Sequence, residues 1–125
     1  MSEIVYALRF TFAARADIDE ERVRLAAIVG EEAANSWRAG LLEAISTLAT
    51  LPQRCIVAQE DVLFPEAVVR QFLYRRRRGS AAYRVLFTIH EYPDDAPFVR
   101  VQHVRHAAQA PLTEWPNTEN GNSAG

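Results

Sequence analysis

The sequence predicts an α+β fold: an N-terminal strand, an α-helical hairpin and a three-stranded antiparallel meander, with two helices packed on one face of a four-stranded sheet. Three observations lead there. The opening run IVYALRFTF, Ile4 to Phe12, is rich in β-branched and aromatic residues and alternates. Two stretches with helical spacing follow, separated by little more than Gly30. Three further β-rich runs, AVVRQFLYR, AYRVLFTIH and FVRVQHVRH, are joined by connections too short for anything but antiparallel neighbours.

Each element has its own warrant. In the first run the even positions, Ile4, Tyr6, Leu8, Phe10 and Phe12, are expected to be buried. In AARADIDEERVRLAAIV, Ile18, Leu25 and Ile28 or Val29 recur on one side, while Asp19, Glu20, Arg22 and Arg24 fill the other, so this is an amphipathic helix. Gly30 ends it as a left-handed residue can. Glu31 and Glu32 complement the dipole at the start of the second helix, whose stripe is Trp37, Leu41, Ile45 and Leu48, and Pro52 stops it. From Leu51 to Pro65 the signals are weak and read as a loop with at most a turn of helix. In the middle strand of the meander, Tyr83, Val85, Phe87 and Ile89 form the face toward the helices. Arg84, Leu86, Thr88 and His90 fall on the other face, which the predicted layers leave uncovered. Val99 and Val101 read as core, so Arg100 and Gln102 should share that open face with Arg84. Strict alternation would then drive His103 and Arg105 into the core, where an unpaired arginine is costly. A bend or bulge near residue 103 is expected to prevent it.

Residues 1–106 are expected to form a single domain and 107–125 a polar, flexible C-terminal tail. At 125 residues and 49% apolar composition, the chain has ample material for one core and no apolar run long enough to span a bilayer. The first residues lack the pattern of a secretory signal, and Cys55 is the single cysteine, so a reducing cytoplasm is expected and no membrane partner. No metal or other cofactor is expected, because no histidine or further cysteine surrounds Cys55 at ligand spacing.

Charge is unevenly placed. Residues 1–67 carry six arginines against eleven acids, whereas residues 68–106 carry eight arginines against Glu91, Asp94 and Asp95. The middle is therefore a basic module in a protein of net charge −2. Every basic residue is arginine, which grips phosphate or carboxylate through a planar fork and serves poorly as a proton acceptor. Arg75, Arg76, Arg77 and Arg78 form a hairpin tip that suits steering and docking of an anionic partner.

The order of these elements, with LATLP closing the helical hairpin, Tyr83-Arg84 opening the third main strand and His103-Val104-Arg105-His106 closing the fourth, resembles the RelE/ParE superfamily of bacterial type II toxin-antitoxin toxins over roughly residues 4–112. The resemblance implies a growth-arresting toxin neutralised by a cognate antitoxin protein. Its target would be messenger RNA on the ribosome, cut by an endoribonuclease, or DNA gyrase, inhibited without catalysis. A third alternative is an inert binding module of the same fold. In the ribonuclease branch, Arg84 and Arg105 match arginines that surround the scissile phosphate. His103 and His106 are then the candidate proton carriers beside them. Arg70, Arg75, Arg76, Arg77, Arg78 and Arg100 are candidates for binding nucleic acid or antitoxin. The sequence departs from the ribonuclease pattern in having no lysine and no tyrosine after Tyr92.

Overall fold

A computed structural model describes residues 4–115. Strand β1 (Ala7–Phe10) leads into α1 (Phe12–Val29) and α2 (Glu31–Ser46), followed by 3-10 turns at Thr47–Ala49 and Pro52–Arg54. Strand β2 (Ile56–Val57), a 3-10 turn at Gln59–Leu63, and strands β3 (Val69–Arg75), β4 (Ala82–His90) and β5 (Phe98–His106) complete the order. The sheet runs β1-β5-β4-β3-β2, with β1 parallel to β5 and the remaining pairs antiparallel. This is the expected α+β arrangement with five strands in place of four. The added strand has only two residues, too few for an alternating pattern to register in the sequence.

The strand-to-helix junction at the N-terminus is sharper than alternation suggested. Thr11 caps α1, its hydroxyl accepting the Ala14 N–H at 3.0 Å, so Phe12 belongs to the helix and is exposed. Ile4 is also exposed, and the buried or half-buried even positions are Tyr6, Leu8 and Phe10. Between the helices, Gly30 takes φ +100°, a conformation that costs other residues dearly. Its N–H still closes α1 on the Ala26 carbonyl. Ile18 and Leu25 turn inward as predicted, but Ile28 and Val29 are exposed because the last turn of α1 overhangs the core.

The core lies between the helices and one sheet face. Trp37, Leu41, Ile45 and Leu48 pack in one cluster with Tyr83, Val85, Phe87, Val99 and Val101. Trp37 and Tyr83 meet with ring centroids 5.1 Å apart. Gly40 lets α2 come close to β3: a Cβ there would stand 2.4 Å from the Tyr74 hydroxyl.

The second sheet face is not open, contrary to the expectation of a two-layer fold. The Gln59–Leu63 turn and the segment leading to Trp115 roof it, and Ala58, Val69 and Leu86 form a second small core with Phe64, Leu112 and Trp115. Within the stretch expected to form the tail, Leu112 and Trp115 pack against this second core, while the other described residues of it are exposed. Residues 116–125 lie outside the described residues.

Candidate functional site

Strand β5 carries one residue more than its partner: Leu86 pairs with His103 but Phe87 pairs with Val101, leaving Gln102 as a bulge. The bulge sends both Gln102 and His103 to the second face and returns Val104 to the core. Arg105 then stands opposite Arg84 on that face, and His103 opposite Leu86. Three of the four residues proposed for chemistry, Arg84, Arg105 and His103, thus share one side of the sheet.

They are not free to act there together. Arg84 is 8% exposed, and each of its three guanidinium nitrogens donates one hydrogen bond. Nη1 and Nη2 donate to the two carboxylate oxygens of Glu60 at 2.9 and 2.6 Å, and Nε donates to Gln71 Oε1 at 2.9 Å. Glu60, 1% exposed, also accepts the Leu112 N–H at 3.2 Å and so ties the roof to the pair. Burial alone would raise its pKa, yet the bonds from Arg84 and from backbone N–H groups outweigh burial and hold the carboxyl below its ordinary range. Glu60 comes from a segment without periodicity, not from the neighbouring turn that carries Glu91, Asp94 and Asp95, and nothing in the sequence signals its pairing with Arg84.

Arg105 gives Nη2 to the Ala110 carbonyl at 2.8 Å, a second tie between sheet and roof. His103 is buried, with Nδ1 3.2 Å from Asp17 Oδ2 and its ring edge-on to Trp115 at 5.1 Å. The same Asp17 oxygen accepts the Val104 N–H at 2.9 Å, so α1 closes the part of the β5 edge that β1 does not reach. Trp115 in turn packs on Phe64, with centroids 5.0 Å apart.

His106 faces the opposite way. Its ring lies 5.1 Å from Tyr83 on the helix side, beside a cavity of about 340 Å³ lined by Glu20, Glu21, Arg24, Tyr83 and Gln109. The Tyr83 hydroxyl donates to Glu21, which also receives two bonds from Arg24. Burial, and then the Glu21 carboxylate, push the Tyr83 phenol well above its ordinary value. A cavity rich in carboxylate repels phosphate, and His106 is separated by the sheet from Arg84.

The remaining candidates are dispersed. Arg70 lies on the helix side and donates to the Cys55 carbonyl at 2.7 Å. Arg75 ends β3 and bonds the Ser80 carbonyl, while Arg76, Arg77 and Arg78 are exposed in the turn, where Ser80 closes on Arg77. Arg100 is half-buried in β5, directly in register with Arg9 of β1. Cys55 packs against the main core, and burial raises its thiol pKa. Among the described residues, no three His, Cys, Asp or Glu side chains converge to hold a metal, and no helix is long and apolar enough to cross a membrane.

No family model and no curated protein matches the chain. A solved structure described as the chromosomal ParDE TA system from P. aeruginosa contains a chain that superposes with a TM-score of 0.62 at 16% identity. The superposition covers 82% of this chain and 96% of that one, so the likeness is one of fold over nearly the whole domain.

Proposed function

We propose that this chain is the toxin of a type II toxin-antitoxin pair, kept inactive by a cognate antitoxin, and that it arrests growth by gripping its target rather than by cutting RNA. The fold shared with a chain of a ParDE system supports the first part. The observation that carries the second is the pairing of Arg84 with Glu60. A phosphate brought to Arg84 would meet a buried carboxylate already filling both prongs of the guanidinium fork, and would have to displace it and the Leu112 contact together. His106, a proposed proton carrier, lies on the other side of the sheet. Of the targets that the resemblance implies, this arrangement favours DNA gyrase over messenger RNA on the ribosome. The exposed tip Arg76 to Arg78 supplies salt-sensitive docking to target or antitoxin.

Induced expression in bacteria, with parallel mapping of RNA 5′ ends, DNA breaks and plasmid supercoiling, tests the reading. Loss of supercoiling with intact messenger is the expected outcome; cleavage at codons in the ribosomal A site would overturn it. A folded Glu60→Leu/Arg84→Met double variant should still arrest growth, since the pair is structural. Co-expression of the small reading frame adjoining the gene should relieve the arrest.

A further inference from the structure

A second cluster lies at the far end of the same sheet face, away from Arg84. Parallel pairing puts Arg9 of β1 directly in register with Arg100 of β5. Both guanidiniums lie against the ring of Phe98, 3.9 and 5.2 Å from its centroid. Like charges opposite each other on adjacent strands repel. Among the described residues, no carboxylate lies within ion-pair distance of either arginine. The adjacent Glu91 is engaged elsewhere, accepting the Tyr6 hydroxyl and, at 3.4 Å, an N–H from Gln53.

Aromatic rings and a polar chain complete the cluster. His90 stacks on Phe98 with centroids 4.6 Å apart, and Tyr92 stands beside both with 53% of its surface exposed. The Tyr92 hydroxyl meets His90 Nδ1 at 3.1 Å, His90 Nε2 meets the Thr88 hydroxyl at 2.7 Å, and Gln102 donates to that hydroxyl at 3.1 Å. The chain is left unclosed at its inner end. Among the described residues, Gln102, 1% exposed, has no partner for Oε1, and the buried Nε of Arg100 has none either. Of the two, only the Arg100 Nε–H is a donor that an anion could answer; the Gln102 oxygen is an acceptor, which a phosphate does not satisfy.

We propose that Arg9 and Arg100 clasp the phosphate of a nucleotide, with Tyr92 presenting its exposed ring to the attached base. Two guanidiniums on in-register residues against one ring suit the several oxygens and the multiple charge of a phosphate better than a single carboxylate. A bound phosphate also relieves the repulsion between them. Base-on-aromatic stacking tolerates any base, so the site selects the phosphate and a flat ring rather than a particular sequence. Electrostatics around His90 agree with this geometry: burial, then Arg100 and Arg9, hold its imidazole below the ordinary range. Glu66, Arg70 and Glu91 line the same pocket as His90, but the charges that lower its pKa are Arg100 and Arg9, so an anion placed on these two raises it.

The site is independent of the toxin reading, and its test uses binding alone. The full-length protein is titrated by calorimetry and by imidazole NMR with adenosine 5′-monophosphate, adenosine, inorganic phosphate and a ten-residue single-stranded oligoadenylate. The expected result is saturable binding of the monophosphate, weaker binding of inorganic phosphate, none of adenosine, and an upward shift in the His90 titration. Arg9→Gln, an exposed change, and Arg100→Lys should each lower affinity about tenfold. Tyr92→Leu should weaken the monophosphate several-fold and leave inorganic phosphate unchanged. Tighter binding of the oligoadenylate than of the monophosphate assigns the phosphate to a strand, and equal affinity assigns it to a free nucleotide. Absence of binding by both, or unchanged affinity in folded Arg9→Gln, overturns the proposal.

Discussion

The two faces of the sheet are both buried, but by different physics. On the helix side, Val85, Phe87, Val99 and Val101 meet Leu41 and Ile45 in a layer where contact is interchangeable and burial itself is the driving force. On the other side, beside the small apolar cluster at Leu86, the polar groups Arg84, Thr88, Gln102 and His103 are covered by short irregular segments, where burying each polar group calls for a specific partner. One face can be repacked; the other must be matched. The difference teaches that the buried pair of Arg84 and Glu60 ties the roof to the sheet.

Breaking the match should cost most. Glu60→Ala leaves Arg84 buried against no carboxylate and is expected to lower stability by about 3–5 kcal/mol in urea unfolding. Replacing both partners, as Glu60→Leu/Arg84→Met, should recover most of that loss. If the single and double variants fall equally, the pair is not the tie described. Leu41→Ala, on the repackable face, is expected to cost about 2–5 kcal/mol through the cavity it leaves, with no charge partner able to rescue it.

How far each face could be read from the chain follows the same division. Periodicity reports which residues face an apolar layer, so the stripe Trp37, Leu41, Ile45, Leu48 and the inward set Tyr83, Val85, Phe87, Ile89 were legible. Alternation also required a register break near His103, and the bulge at Gln102 supplies it. Glu60, Leu112 and Trp115 were not legible as a roof. Their segments have no period, and Glu60 finds Arg84 across 24 positions, a relation that only the folded chain creates. The tip arginines were conspicuous by composition, yet only Arg75 belongs to a strand. Arg9 was visible as one alternating position, but nothing in the sequence announced Arg100 as its neighbour.

Acid sharpens the contrast more gently. The folded-state pKa of Glu60 is lowered, so its contribution is present above the unfolded value of about 4.3 and fades as pH falls through the folded value. Between neutral pH and acid, the parent should therefore lose more stability than the Glu60→Leu/Arg84→Met variant. Matching slopes in pH-dependent unfolding would remove Glu60 from that account. The smallest effect belongs outside both faces: Arg76→Ala in the exposed turn should change stability by no more than about 0.5 kcal/mol while weakening any anionic partner, most visibly at low salt.

The hydroxyl of Thr11 donates to the carbonyl of the bulged Gln102 at 3.0 Å, and the Thr11 N–H donates to Val101. The residue that starts α1 is thus anchored to a strand about 90 positions later in the chain. During synthesis, the first helix emerges well before the surface that orients it. The helical hairpin can form from nearby residues, but its seating needs β5, and closing a loop of that length carries an entropic cost. A chain that ends before residue 98 would hold the hairpin without the strand that seats it, leaving the apolar stripe of α2 without part of its cover.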